Sequence, residues 1–223
     1  MAPNSVASMA ERHYIAEVFP EQNLYQTWEN AELVPGAVGC LFAPVQGSGG
    51  TDRRGDAVVV KSIYITGMVY RKTVTSGENK TDPEPASRVV LALYRDTQTN
   101  KTTASTERLY LSGTGQDWNC VRNMEYSRRF QVLKKWSFVF ERPGWGAFEN
   151  PAIAQQEAGG MAQTFDAHLE LNDLVRFSGN TGTVVDSLDI NYFVAGVSSA
   201  GSTFAPVTGL DYIQYVTRVG FDT

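Results

Sequence analysis

The sequence has few of the residues on which catalytic and metal sites are usually built. It contains two cysteines, Cys40 and Cys120, and two histidines, His13 and His168, among 223 residues. A zinc site needs more ligands at closer spacing, so the distance between the cysteines argues against one. A single disulfide stays open, but two buried free thiols are the favoured interpretation, because free cysteine behaves as a small apolar residue.

Long apolar runs and enzyme motifs are also absent from the sequence. No run approaches the roughly 20 apolar residues that span a bilayer, and residues 1–14 lack the basic start and apolar core of a secretory signal. The nucleophile elbow, the P-loop, the dinucleotide fingerprint and the H-E-x-x-H motif are missing too. We therefore expect no membrane association, no enzyme activity and no cofactor.

The sequence does contain short runs rich in Val, Ile, Tyr and Phe, bounded by Gly, Asp, Asn, Ser or Pro. Such runs are typical of β-strands. We predict eight strands, at residues 38–42, 56–72, 87–96, 128–144, 164–172, 173–182, 186–199 and 209–223. This pattern predicts an all-β fold: a single eight-stranded jelly-roll sandwich of two four-stranded antiparallel sheets.

The predicted domain covers residues 35–223, and residues 1–34 are predicted to form an N-terminal arm or extension. Short helices are expected in the two longest loops, 97–127 and 143–163. Alternation predicts which side chains share a face of a strand. In 56–72 one face carries Val58, Val60, Ser62, Tyr64, Thr66 and Met68, and in 128–144 one face carries Phe130, Val132, Lys134, Trp136, Phe138 and Phe140.

Charge is segregated along the chain, although the net charge is only −5. Residues 1–52 contain one basic and six acidic residues, residues 53–142 contain sixteen and nine, and residues 143–223 contain two and nine. One interpretation is three differently solvated stretches of one fold. The other is a basic surface that faces something anionic, or faces the acidic thirds of a neighbouring copy.

Basic residues interleaved with aromatic ones favour single-stranded nucleic acid, which binds basic grooves and aromatic stacking platforms. Tyr64, Tyr70, Tyr126 and Trp136 are the interleaved aromatics. The alternative is that the lysines only solubilise a strand around a packed Trp136. The candidate nucleic-acid or inter-subunit contacts are Arg53, Arg54, Lys61, Arg71, Lys72, Arg128, Arg129, Lys134 and Lys135.

Two acidic groups are candidates for metal or acid–base sites. Asp166, His168 and Glu170 would share one face of a strand, which could bind a metal or transfer protons. A solvated polar face opposite Phe165, Ala167, Leu169 and Leu171 is the favoured interpretation. Asp173, Asp186 and Asp189 could hold a calcium ion between subunits, although solvated loop carboxylates are commoner.

Several stretches carry a family resemblance: "GTDRRGDAVVVKSIYITGMV", "RVVLALYRD", "RRFQVLKKWSFVF" and "DYIQYVTRVGFDT". In this order they resemble the capsid (coat) proteins of small circular single-stranded DNA viruses that encode a replication-initiator protein, the geminivirus-like relatives. The matching positions include Gly50, Thr51, Arg54, Gly55, Val58, Val60, Lys61, Ser62 and Ile63, followed by Arg129, Phe130, Val132, Leu133 and Lys135.

The resemblance implies a jelly roll that self-assembles into a T=1 icosahedral shell of sixty copies around a circular single-stranded DNA genome. It implies a virion location, assembly in the host-cell nucleus and a host receptor as a further partner. Arg53 and Arg54 would lie in a loop that meets DNA or a neighbouring subunit. One departure is that family members usually begin with an arginine-rich arm that neutralises the genome, whereas residues 1–52 contain only Arg12.

Two other functions are alternatives. A lectin-like jelly roll would bind carbohydrate through aromatic loop residues (Trp118, Trp145 and Phe148), and a glycan array would test it. A cupin-like enzyme would use His168 as a metal ligand, and metal analysis of the purified protein would test that.

Overall fold

The computed structural model describes residues 12–24, 27–29, 32–34, 38–71, 87–101, 124–140, 162–198 and 211–223. Ten strands lie in these ranges: β1 (Arg12–Asn23), β2 (Thr27–Glu29), β3 (Glu32–Val34), β4 (Val38–Cys40), β5 (Ala57–Arg71), β6 (Ser87–Asp96), β7 (Phe130–Phe140), β8 (Ala162–Arg176), β9 (Asn191–Ser198) and β10 (Asp211–Asp222). Two 3-10 helices of three residues, Met124–Tyr126 and Val184–Asp186, are the helices of the described ranges. Of the two loops predicted to contain short helices, 97–127 contains Met124–Tyr126, while residues 102–123 of that loop and residues 143–161 of the loop 143–163 fall outside the described ranges.

Eight of the strands form two four-stranded antiparallel sheets. The first sheet has the order β1-β10-β5-β8 and the second has the order β4-β9-β6-β7, while β2 and β3 pair with each other. From β4 to β10 every connection between consecutive strands crosses from one sheet to the other except that between β6 and β7, and β1 and β10 are neighbours. This order is that of a jelly roll, so the predicted fold class is confirmed.

The predicted division at residue 34 is wrong for part of the arm. β1 lies within residues 1–34, yet it pairs with β10 along almost its whole length, from Arg12 opposite Asp222 to Asn23 opposite Tyr212. It is therefore an outer strand of the first sheet. The two large sheets contain eight strands, as predicted, but not the same eight. β1 was not predicted as a strand, and residues 162–176 form the single strand β8 where two strands were predicted.

β-bulges interrupt the predicted alternation in two strands. In β5 the register shifts between Val60 and Ser62, and the buried positions change from Val58 and Val60 to Ile63 and Ile65. Because a bulge adds one residue to one strand, it moves later side chains to the other face. The single face predicted for residues 58–68 is therefore wrong beyond Val60.

The second bulge lies in β7, where Leu93 pairs with Lys134 and Tyr94 pairs with Val132. Leu133 packs against the main core, whereas Val132 and Lys134 are exposed. The predicted face of this strand is correct only from Trp136 onward.

The main core lies between the two sheets. It includes Ile63 and Ile65 of β5, Leu91 and Leu93 of β6, and Val219 of β10, all without exposed area. Each fully buried side chain of this size contributes about 1.5–3 kcal/mol to stability.

A second apolar cluster lies on the other face of the second sheet. It contains Val90, Ala92 and Tyr94 of β6 with Phe193 and Ala195 of β9. The run "VVLALY" is continuous rather than alternating because β6 is buried on both faces.

Candidate assembly and nucleic-acid surface

Arg53 lies inside the fold rather than on its surface. Its side chain has 0% exposure, and its Nε donates to the carbonyl oxygen of Pro44 at 3.3 Å. The two Nη groups donate to the carbonyl oxygens of Gly55 and Gly179, and the guanidinium lies 5.0 Å from the ring centre of Phe177. Arg53 therefore ties the β4–β5 connection to the segment after β8, and the direct contact with DNA or a neighbour predicted for it is corrected.

The loop before β5 folds back on itself through its glycines. The N–H of Arg53 donates to Val45 at 2.9 Å and the N–H of Gly47 donates to Arg53 at 3.0 Å. The Oδ2 of Asp52 accepts from the N–H of Gly49 at 2.9 Å. A Cβ at Gly47 would come within 2.3 Å of the same Oδ2, so a larger residue there would displace the Asp52 carboxylate from this hydrogen bond.

Asp186 organises the segment after β8 at the same end of the sandwich. Its Oδ2 accepts from the N–H groups of Thr181 at 2.6 Å and Gly182 at 2.8 Å. Burial of Asp186 opposes ionisation, but these N–H donors prevail and hold its pKa below the ordinary value. Gly182 has φ 69°, a left-handed conformation that favours glycine, so the turn is defined by backbone as well as side chain.

Arg71 is also buried, at the opposite end of β5. Its Nε lies 3.1 Å from Oδ1 of Asp211, and both side chains are almost fully buried. The guanidinium lies 5.7 Å from the ring centre of Phe140, and the Oγ of Ser198 donates to Asp211. Arg71 closes this end of the sandwich, so its predicted role as a surface contact is corrected too.

Lys61 and Arg129 are engaged within the protein. The Nζ of Lys61 donates to Oδ1 of Asn172 at 2.6 Å and lies 3.8 Å from Asp222. Arg129 donates from Nε and Nη2 to the two oxygens of the buried Asp96, at 2.8 Å each. These hydrogen bonds raise the pKa of Arg129, and the bidentate geometry is that of a structural pair.

Four of the nine predicted basic residues are exposed: Arg54, Arg128, Lys134 and Lys135. Lys72 lies outside the described residues. The structure therefore divides the basic set into buried, paired and exposed members instead of gathering it on one surface. A contact with DNA or another subunit stays a prediction for the exposed four.

The outer face of the first sheet carries side chains that the charge pattern did not single out. The guanidinium of Arg218 lies 4.2 Å from the ring centre of Tyr14 and is opposite Tyr64 in the register. Val18 is 69% exposed and Met68 is 41% exposed. Arg218 was missed because it lies in an acidic third of the chain, and only its position across from Tyr64 indicates its surroundings.

The acidic row on β8 is a solvated polar face, as the favoured interpretation had it. Asp166, His168 and Glu170 are exposed, whereas the alternating Phe165 and Ala167 are buried and Leu169 is partly buried. No group of three or more His, Cys, Asp or Glu side chains among the described residues is arranged to hold a metal ion.

The three carboxylates proposed for calcium have separate partners. Asp173 accepts two hydrogen bonds of 2.6 Å from Arg95 and one of 2.7 Å from the hydroxyl of Tyr192. Asp189 accepts from the N–H of Ile190 at 2.7 Å, and Asp186 accepts from its own turn. They do not form one ligand set within this subunit, so calcium between subunits stays a prediction.

Cys40 is a free thiol, and its burial raises its pKa to about 11. Cys120 lies outside the described residues, as do Trp118, Trp145 and Phe148 of the carbohydrate hypothesis. Among the residues that the structure describes, no helix has the length and apolar character needed to cross a bilayer.

Comparison with protein families gives a match over most of the chain. The family described as "Geminivirus coat protein/nuclear export factor BR1 family" matches residues 4–164, well over half of the 223 residues. The chain belongs to this coat protein family. The family resemblance drawn from the quoted stretches is therefore confirmed, and a structural role in a virion follows from it.

The family match begins before β1 and ends within β8, so it includes the Arg53 loop and both flanking strands. No curated protein matches the chain. Among solved structures, VP1 of the trichodysplasia spinulosa-associated polyomavirus in complex with GM1 oligosaccharide is 10% identical, with 100% of this chain and 94% of that chain covered and a TM-score of 0.27. The same VP1 with 3'-sialyllactose has 10% identity, coverages of 100% and 95% and a TM-score of 0.27.

A third solved structure, from the T13 IBDV viral particle, is 8% identical with a TM-score of 0.21. The match covers 95% of this chain and 35% of that chain, so this coat protein spans about a third of the length of the IBDV protein.

Proposed function

We propose that the chain is the subunit of a small T=1 icosahedral shell of sixty copies that encloses a circular single-stranded DNA genome. The family match together with the β1-β10-β5-β8 and β4-β9-β6-β7 strand order is the observation that carries the proposal. Closed symmetry repeats the same contacts around the shell, so individually weak contacts add up to a stable particle.

The internal ion pairs support this proposal because they make the subunit a rigid unit. Arg53 joins the loops at one end of the sandwich and the Arg71–Asp211 pair closes the other. The exposed side chains of the outer strands and of the first sheet's outer face, together with Arg54 and Arg128 in the connections, are available for contact with copies. A building block of this kind can repeat one set of contacts without refolding.

Light scattering and negative-stain electron microscopy of the purified protein test the shell. Sixty copies of 24.5 kDa give a particle of roughly 1.5 MDa. A chain that stays monomeric at high concentration across salt and pH would contradict the proposal. Preparations with and without a calcium chelator test whether calcium bridges the subunits, since chelation would then lower the particle yield.

Enclosure of DNA has its own measurement. Particles purified from cells that replicate a circular single-stranded DNA should protect that DNA from added nuclease, and the protected DNA should disappear when the particles are dissociated. Empty particles under these conditions would leave the shell standing and refute the enclosure. A fluorescent fusion in the same cells tests nuclear assembly.

A further inference from the structure

One flank of the sandwich carries patches of both charge signs. β7 is an edge strand of the second sheet, and β8 is an edge strand of the first sheet. They lie on the same flank, because the amide of Gln163 donates to the carbonyl oxygen of Val139 at 2.9 Å and the rings of Trp136 and Phe165 are 5.1 Å apart. We call this side, formed by β7 and β8, the β7/β8 flank.

The positive patch of the flank is a pair of adjacent lysines on β7. Lys134 and Lys135 are both exposed, although adjacent side chains in a regular strand point to opposite faces. The bulge at Leu133 precedes both residues, and their register opposite Leu93 and Ala92 is regular. The two lysines therefore leave opposite faces of β7, and both are exposed because β7 is at the edge of its sheet. Neither lysine forms an ion pair with any residue that the structure describes.

The negative patch is the pair of carboxylates on β8. Asp166 and Glu170 are exposed, and their neighbours on β5 are Thr66 and Ser62, which carry no charge. No ion pair joins either carboxylate to another described residue. The two carboxylates are four residues apart on one face of the strand, roughly 13 Å, so each is available to a cation from another molecule.

The two patches lie at the same height along the strands. The contacts of Gln163 with Val139 and of Phe165 with Trp136 show that β7 and β8 run antiparallel. Continued along both strands, this alignment places Lys134 level with Ala167 or His168, and Lys135 level with Asp166 or Ala167. A rotation of 180° about an axis parallel to the strands keeps every height and exchanges the two sheets.

We propose that the β7/β8 flank is a two-fold contact between copies, in which Lys134 and Lys135 of one copy face Asp166 and Glu170 of the other. The symmetry makes the contact self-complementary, because each copy offers both patches and the same pairing of opposite patches occurs twice in the dimer. The proposal rests on the proposed function only because a shell of identical subunits contains two-fold contacts. The dimer forms through this contact whether or not a shell assembles.

Charge reversal tests the contact. The variant Lys134→Glu/Lys135→Glu makes the flank acidic throughout, and Asp166→Lys/Glu170→Lys makes it basic throughout. Each variant alone should raise the dimer Kd by about tenfold or more at low salt, because attraction becomes repulsion at both symmetry-related sites. A mixture of the two variants, and the chain that combines all four changes, should recover a Kd close to that of the unaltered protein.

Sedimentation equilibrium at several salt concentrations measures the Kd. The control is Arg12→Glu/Lys101→Glu, which changes the net charge by the same amount at exposed positions off the flank and should leave the Kd unchanged. Dimerisation of either reversed variant like the unaltered protein, or failure of the mixture to associate, overturns the proposal.

The outcome separates the contact from the shell and from DNA. Shells that form equally well from reversed and unaltered chains refute the contact alone. Restored pairing in the mixture without any particle from the unaltered protein refutes the shell alone. If Lys134→Glu/Lys135→Glu lowers the protected DNA but leaves the dimer Kd unchanged, the lysines contact DNA and the proposed contact is wrong.

Discussion

Truncation of Arg53 should destabilise the subunit, although sequence patterns place this arginine on a contact surface. Arg53→Ala removes the donors of three backbone carbonyl oxygens, those of Pro44, Gly55 and Gly179. A buried acceptor left without a partner costs about 1–3 kcal/mol, and the lost contact with the Phe177 ring adds about 0.5–2 kcal/mol. Because water can enter the vacated space, we expect a total of roughly 3–5 kcal/mol, the range for a broken buried charge network.

Urea unfolding of the unassembled subunit measures this cost, and in thermal unfolding the expected fall in Tm is roughly 10 °C. Arg54→Ala is the matched control: it removes the same charge from the adjacent, exposed position and should change the unfolding free energy by less than about 0.5 kcal/mol. Arg53→Lys keeps the charge but cannot reach three carbonyls at once, so it should recover little stability. Equal urea midpoints for Arg53→Ala and the unaltered protein, with less DNA in the particles, would refute the buried role and restore the surface one.

Three further changes test other parts of the fold. Asp211→Asn removes the buried carboxylate that pairs with Arg71, and it should cost about 3–5 kcal/mol in urea unfolding; a loss below about 1 kcal/mol would contradict the buried pair. Because the pKa of Asp186 is lowered, its contribution is fully present above the ordinary value of 3.8 and is lost as the pH falls through the folded-state value. Unfolding free energies measured from acid to mildly acid pH should therefore decline less steeply for Asp186→Asn, and parallel curves would refute this. In a Cys120→Ser background, maleimide should label Cys40 roughly 100-fold more slowly at mildly alkaline pH in the folded than in the urea-unfolded protein, since burial raises its pKa to about 11.

The strands were predictable where one face is consistently apolar, and less so where polar groups face inward. β1 escaped prediction because its inward positions are His13, Ile15, Glu17 and Phe19, so the alternation in hydrophobicity is broken twice. In β8 the partly buried Asp173 resembles a turn residue, but it pairs with an arginine from the other sheet. The positions of bulges depend on the neighbouring strand, which local sequence does not specify.

The roles of the basic residues were less predictable than the strands. Charge and spacing are visible in the sequence, but the anion or carbonyl that receives each side chain comes from far along the chain. Arg53 donates a hydrogen bond to the carbonyl oxygen of Gly179, and Arg71 donates one to the carboxylate of Asp211. Neighbouring arginines such as Arg53 and Arg54 can therefore have opposite surroundings, and only tertiary packing distinguishes them.

The position of β10 between β1 and β5 has a consequence for synthesis. β1 (Arg12–Asn23) leaves the ribosome long before its partner β10 (Asp211–Asp222). Until β10 has been synthesised, β1 lacks this neighbour, and β5 is unpaired along the same edge. Because pairing between such distant segments is slow, the nascent chain exposes apolar strand edges until β10 arrives, and a nonsense mutation ahead of β10 would remove the link between β1 and the rest of the sheet.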